Sequence, residues 1–148
     1  MRNCDIVFLM DATGSMQSVI NDLRDNVGNF IDLLDGGGVA NQSLVKHWRG
    51  KAVGYRDFIW DADKIEDHPF VESADELRAQ LNSLEAKGGG DEPESLLEGI
   101  MHVAGMDQTD KDLDYSQLDP NKWRHRDGAS RRAVVVFTDA SYHEKMEE

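Results

Sequence analysis

Apolar residues along this chain come in two kinds of run: short unbroken blocks and longer stripes at three- and four-residue steps. Ile6-Val7-Phe8-Leu9-Met10 has no polar interruption, which suits a strand buried on both faces, as in a parallel sheet covered by helices. The pattern then changes. Met16, Val19, Ile20, Leu23, Val27, Phe30, Ile31 and Leu34 make one apolar stripe, and the 3.6-residue period predicts a helix of about five turns. Asp22, Arg24, Asp25 and Asn29 fall on its polar side, and Gly36-Gly37-Gly38 stops it, since glycine ends helices without steric cost.

Ser43 to Ile59 reads as a second strand, clearest from Ala52 to Phe58, with a turn expected near Arg49-Gly50. His68-Pro69-Phe70-Val71 is short, and Pro69 supports an edge strand or a strand start. Ser73-Ala74-Asp75-Glu76 has capping-box spacing, and Leu77, Leu81 and Leu84 follow as the buried face of a three-turn helix ended by Gly88-Gly89-Gly90. Pro93 suits the first turn of another helix, whose expected apolar face is Leu96, Leu97, Ile100, Met101 and Ala104. Met106 to Asn121 is polar and rich in aspartate, and Ala133-Val134-Val135-Val136-Phe137 is a final buried strand. Strands alternating with helical stripes predict an α/β fold with a parallel sheet.

The 148 residues predict one domain, large enough for a real core. A formal net charge of −13 argues against nucleic acid or anionic membrane as partner, since both require basic surface. It favours cations and basic protein surfaces, or plain solubility. One cysteine, Cys4, excludes an internal disulfide. No signal peptide and no membrane-spanning apolar run precede or interrupt the pattern, so the expected location is the cytoplasm.

Chemistry concentrates where the first strand ends. Asp11, Thr13 and Ser15 follow the apolar block at two-residue spacing, and open α/β sheets place their ligands at the carboxyl ends of strands. One carboxylate and two hydroxyls form the all-oxygen set that a hard divalent cation such as Mg²⁺ prefers. The same residues also serve as helix caps.

Asp11-x-Thr13-x-Ser15 resembles the metal-ion-dependent adhesion site of von Willebrand factor A domains. Two further segments extend the resemblance over nearly the whole chain. Lys87-Gly88-Gly89-Gly90-Asp91-Glu92-Pro93-Glu94 looks like that family's second metal-site loop, and Ala133 to Ala140 looks like its fourth strand and third loop, with Asp139 at the strand's end. Tyr55-Arg56-Asp57 is similar to a segment of the hemicentin-like branch, and also fits a surface ion pair after a core tyrosine. The resemblance implies a Rossmann-like, doubly wound, mostly parallel sheet flanked by helices, with the first and fourth strands side by side.

It further implies a noncatalytic, Mg²⁺- or Mn²⁺-dependent protein-interaction module. Thr13 and Ser15 would ligate directly, Asp11 and Asp139 partly through water, and the partner would offer an acidic side chain. Asp91 stands where many relatives supply threonine. There it would serve as ligand, as cap of the Pro93 helix, or as both, and a third carboxylate would leave the ion less electron-poor. Complete A domains carry further strand–helix units, whereas nine residues follow Asp139. The fold is therefore expected to be incomplete at its carboxyl end, with an unpaired sheet edge available for self-association.

Two other functions compete: a structural scaffold with a vacant metal site, and a metal-dependent phosphatase or hydrolase. Haloacid-type phosphatases need a second aspartate where this chain has Thr13, and neither a P-loop nor a Gly-x-Ser-x-Gly elbow is present. His47, His68, His102, His125 and His143 show no zinc-ligand spacing, and His143 is the one plausible general base. Asp110-x-Asp112-x-Asp114 fails as a calcium loop, because Tyr115 replaces the required glycine and Asn121 the glutamate. Arg124, Arg126, Arg131 and Arg132 are expected to balance local acidity rather than bind phosphate.

Overall fold

The computed structural model describes residues 2–12, 16–34, 45–55, 65–84 and 93–138. They form a mixed α/β fold: β1 (Arg2–Asp11), α1 (Gln17–Leu34), β2 (Val45–Tyr55), β3 (Ile65–Glu66), α2 (Ala74–Ser83), α3 (Pro93–Ala104) and β4 (Ser130–Phe137). The sheet order is β3-β2-β1-β4. β1 pairs in parallel with β2 and β4, and β3 is antiparallel to β2. Placing β1 centrally explains its unbroken apolar block, because Ile6 to Met10 are all 3% exposed or less.

Side chains of β1 alternate between two cores, as the period of two requires. Ile6, Phe8 and Met10 join Ile20, Val27 and Ile31 of α1 and Leu77 and Leu81 of α2 on one face. Val7 and Leu9 join Val53 and Tyr55 of β2 and Leu96 and Val103 of α3 on the other. The α1 stripe therefore faces the sheet as its periodicity requires. At α2 the Ser73 hydroxyl accepts from the Glu76 amide at 3.1 Å and donates to the Glu76 carboxylate at 3.1 Å, which fixes the helix start.

Two local expectations give way to packing. The expected turn at Arg49-Gly50 does not form, and β2 runs straight through. Gly50 exchanges two 2.8 Å backbone hydrogen bonds with Val71, and a Cβ there would lie 3.3 Å from the Trp48 ring and 3.4 Å from Leu77. Its glycine permits close approach rather than a turn. The segment expected as an edge strand at His68–Val71 contributes that single bridge through Val71, and β3 lies just before it.

The α3 face is also corrected. Leu97, Met101 and Ala104 point outward, with Leu97 58% and Met101 71% exposed, and Ile100 is partly exposed. The buried row is Leu96, Gly99 and Val103. Gly99 sets that rotation: where its Cβ would be, the Tyr55 ring stands 3.2 Å away. A small residue lets the helix settle on the tyrosine, and bulkier neighbours turn to solvent.

The polar segment after α3 is pinned to this core by Trp123, which is 2% exposed and donates its indole N–H to the Val103 carbonyl at 2.9 Å. β4 is the sheet's edge among the described residues, and Val134 and Val136, on the α3 side of the sheet, are partly exposed. No described helix is long and apolar enough to cross a membrane.

Candidate functional site

Asp11 closes β1. Its Cα partner across the ladder is Tyr55, and the next amide, Ala12, donates to the Tyr55 carbonyl at 2.8 Å. On the other side the β1–β4 register ends at Met10 and Phe137, so Asp11 and Thr138 each lie one residue further along adjacent parallel strands. Asp11 is 3% exposed. A buried carboxylate at the carboxyl end of a central parallel strand is an oxygen donor in the usual ligand position of open α/β sheets, and its chemistry fits a hard cation.

Of the five residues expected to hold a metal, the structure describes Asp11 alone. Thr13, Ser15, Asp91 and Asp139 lie outside the described residues, as do Arg56, Asp57 and His143. No cluster of three or more His, Cys, Asp or Glu fit to hold a metal occurs among the described residues. The aspartate-rich loop around Asp110, Asp112 and Asp114 is therefore not such a cluster.

The opposite, amino end of the same strands carries an ionic network that the sequence pattern did not reveal. Asp5 is buried, with its side chain fully enclosed. Arg49, its ladder partner on β2, donates Nε to Oδ1 at 3.0 Å and Nη2 to Oδ2 at 2.7 Å, a two-point contact. Arg124 approaches the same carboxylate twice, through its backbone amide at 2.7 Å and through Nη2 at 3.2 Å. Remaining Arg49 donors reach the carbonyls of Asp119 and Lys122 at 3.1 and 3.0 Å. One buried acid thus ties β1, β2 and the segment leading into β4 together.

His47 extends this network outward. Its Nδ1 lies 2.8 Å from Arg124 Nη2, its Nε2 lies 2.8 Å from Glu72, and its ring stacks on Tyr115 at 3.8 Å. A guanidinium has no lone pair to give, so Nδ1 accepts and Nε2 carries the proton donated to Glu72. Burial lowers the His47 pKa, and Arg124 lowers it further against the opposing pull of Glu72. Neutral imidazole is the form this geometry holds.

A second buried cation lies on β2. Lys51 is 1% exposed, with Nζ 2.8 Å from Asp67 and 3.0 Å from the Met106 sulfur. His102 reaches the other Asp67 oxygen at 3.1 Å. Burial pushes the Asp67 carboxyl up, but the hydrogen bonds from Lys51 and His102 outweigh it, and its pKa falls below the ordinary value. The pairing supplies the charge balance that a buried ammonium requires.

Of Arg124, Arg126, Arg131 and Arg132, Arg124 alone balances an acid as expected among the described residues. Arg124 pairs with Asp5, which Arg49 already engages. Arg132 Nη2 instead bonds the Gln108 side chain and the Arg124 carbonyl at 2.9 and 3.0 Å, with its guanidinium 5.3 Å from the Trp123 ring centre. Arg131 turns back onto the carbonyls of Gly128 and Ser130. Together with Arg126 and Ser130 these side chains line a cleft of about 320 Å³. Burial lowers the Arg132 pKa, Asp5 opposes that shift, and Arg126 adds like-charge repulsion.

Tested against protein-family models and curated protein sequences, the chain matches none.

Proposed function

We propose that the protein is a metal-dependent protein-interaction module of the von Willebrand factor A type, holding Mg²⁺ or Mn²⁺ at the carboxyl end of its parallel strands. The observation that carries this reading is the position of Asp11. It is a buried oxygen donor at the end of the central strand, and β4, the strand leading to Asp139, runs parallel beside it. The sheet order with β1 next to β4 also agrees with the arrangement that the sequence resemblance implies. Thr13, Ser15 and Asp91 complete the proposed ligand set on sequence grounds.

A cation in that place would supply a Lewis-acidic contact for an acidic side chain of a partner, since Mg²⁺ keeps several exchangeable waters. The residues of this chain would supply anionic and hydroxyl oxygens, Asp11 from the end of the central strand.

Calorimetric titration of chelator-treated protein with Mg²⁺ and with Mn²⁺ tests the proposal. One-site saturation is expected, and the Asp11→Ala, Ser15→Ala double variant is expected to lose it while keeping its far-ultraviolet circular dichroism. Absence of saturable binding in folded wild-type protein would sink the reading.

A further inference from the structure

We propose that the cleft formed by Arg124, Arg126, Ser130, Arg131 and Arg132 is a binding site for a phosphate group. It lies at the amino end of β4, the opposite end of the sheet from Asp11, and does not depend on the proposed metal.

Local charge is the first observation. In a chain of net charge −13, four arginines border one cleft of about 320 Å³, roomier than the roughly 30 Å³ share of one water. Among the described residues Asp5 is the acid in contact with any of them, and it also serves Arg49. Arg126, Arg131 and Arg132 have no carboxylate within ion-pair distance among the described residues. Clustered like charges raise each other's free energy unless a counter-anion joins them.

Unused donors are the second, independent observation. Arg124 and Ser130 are each 7% exposed. The Arg124 Nε and Nη1 atoms and the Ser130 hydroxyl are buried without a hydrogen-bond partner. Elsewhere in the same network Arg49 fills its donors with a carboxylate and two carbonyls. Buried charged N–H groups left unpaired are costly, and both residues line the cleft. The same two residues also border a neighbouring pocket lined by Asp110, Asp112 and Asp127, and a ligand in the arginine cleft removes that cost once either enclosed side chain turns toward it.

The donor geometry selects the ligand. Guanidinium groups arrive from β4 and from the segment before it, together with a hydroxyl. A planar carboxylate offers two oxygens and one charge, enough for one such group. Phosphate offers three or four oxygens and up to two charges, which suits a cleft that several arginines border from different elements. Free phosphate and a phosphate monoester share this chemistry.

Titration followed by calorimetry at constant ionic strength tests the site with inorganic phosphate, phosphoserine and acetate as probes. Inorganic phosphate or phosphoserine is expected to saturate one site, the tighter of the two identifying the free ion or the ester as the natural form. Arg126→Gln and Ser130→Ala are each expected to weaken binding about tenfold, the worth of one charge-assisted hydrogen bond. Both should leave the urea midpoint unchanged or slightly raised, and Arg24→Gln, on α1, should bind like wild type. Lack of saturation, acetate binding as tightly as phosphate, or undiminished binding by both folded variants would each overturn the proposal. The Mg²⁺ titration is read separately, so failure of one site does not count against the other.

Discussion

Asp5→Asn is the substitution with the largest calculable consequence. The change keeps the side chain's volume and removes its charge from an environment where Asp5 is fully enclosed and Arg49 is 3% exposed at the side chain. Both oxygens of the carboxylate accept from Arg49, and Arg124 adds a backbone and a side-chain donor. An asparagine would keep one acceptor and turn an amino group toward guanidinium donors. Removing one partner of a buried pair costs about 3–5 kcal/mol, because the other charge is left uncompensated. A domain of this size is stable by about 5–15 kcal/mol, so the loss is a large fraction of the whole. With a urea slope near 2 kcal/mol per molar, the midpoint should fall by roughly 1.5–2.5 M. Arg124→Gln should cost less. It leaves the two-point Arg49 contact and the Arg124 backbone hydrogen bond in place. Equilibrium urea unfolding followed by tryptophan fluorescence measures both. A loss under about 1 kcal/mol for Asp5→Asn at unchanged slope, or a larger loss for Arg124→Gln, would refute the reasoning.

Two further outcomes follow from the packing and from His47. Leu96→Ala should cost about 2–5 kcal/mol as a buried truncation, whereas Met101→Ala, at 71% exposure, should stay within about 0.5 kcal/mol; equal effects in urea unfolding would contradict the observed rotation of α3. His47 titrates below its ordinary value of 6.5 in the folded protein. The unfolded chain therefore binds the extra proton first as pH falls, and stability should drop from pH 6.5 downward until the folded pKa is passed. Urea midpoints at pH 7.5, 6.5 and 5.5 should fall less steeply for His47→Gln than for wild type, and identical slopes would show that His47 is not responsible.

Much of the architecture was legible because one physical variable, burial, writes itself into periodicity. Ile6 to Met10 is apolar without interruption because β1 is central and covered on both faces. The α1 stripe was readable because an 18-residue helix on a sheet buries one face for five turns. The α3 face was not, because periodicity weighs large residues and the real contact runs through Gly99, whose value lies in what it lacks. Gly50 misled for the same reason: a glycine between polar neighbours reads as a turn, and here it admits Trp48 and Leu77.

Asp5 escaped notice for a different reason. An acid at the margin of an apolar block looks like the solvated start of a strand, and its two partners lie 44 and 119 residues away in the chain. Of the residues in that network Arg49 carried some signal, as one of the cations, with Lys46 and Lys51, in a run that is otherwise strand-like. At the proposed metal centre the sequence supplied the whole ligand set, of which the structure describes Asp11 alone. The arginines before and within β4 illustrate the converse. Sequence neighbours suggested neutralisation by nearby aspartates, whereas the fold gives only Arg124 a carboxylate among the described residues and sets all four along one cleft.

The parallel sheet explains why oppositely charged features occupy its two ends. Every strand of β2, β1 and β4 runs the same way, so residues late in each strand gather at one end and residues early in each at the other. Asp5 and Asp11 are six positions apart on β1, or about 20 Å at the usual rise per residue. Across that distance two unit charges interact by only about 0.8 kcal/mol even at an effective dielectric constant of about 20. Substitutions so far apart, with no shared partner, act additively. The acid of the amino end pairs with Arg49 and Arg124 and offsets Arg132 only in part, while Arg126 and Arg131 meet no carboxylate among the described residues. Asp11, at the far end, is too distant to do so. Excess positive charge beside β4 is therefore a local condition, which the acidity of the chain as a whole does not relieve, and an anion bound in the cleft would answer it directly.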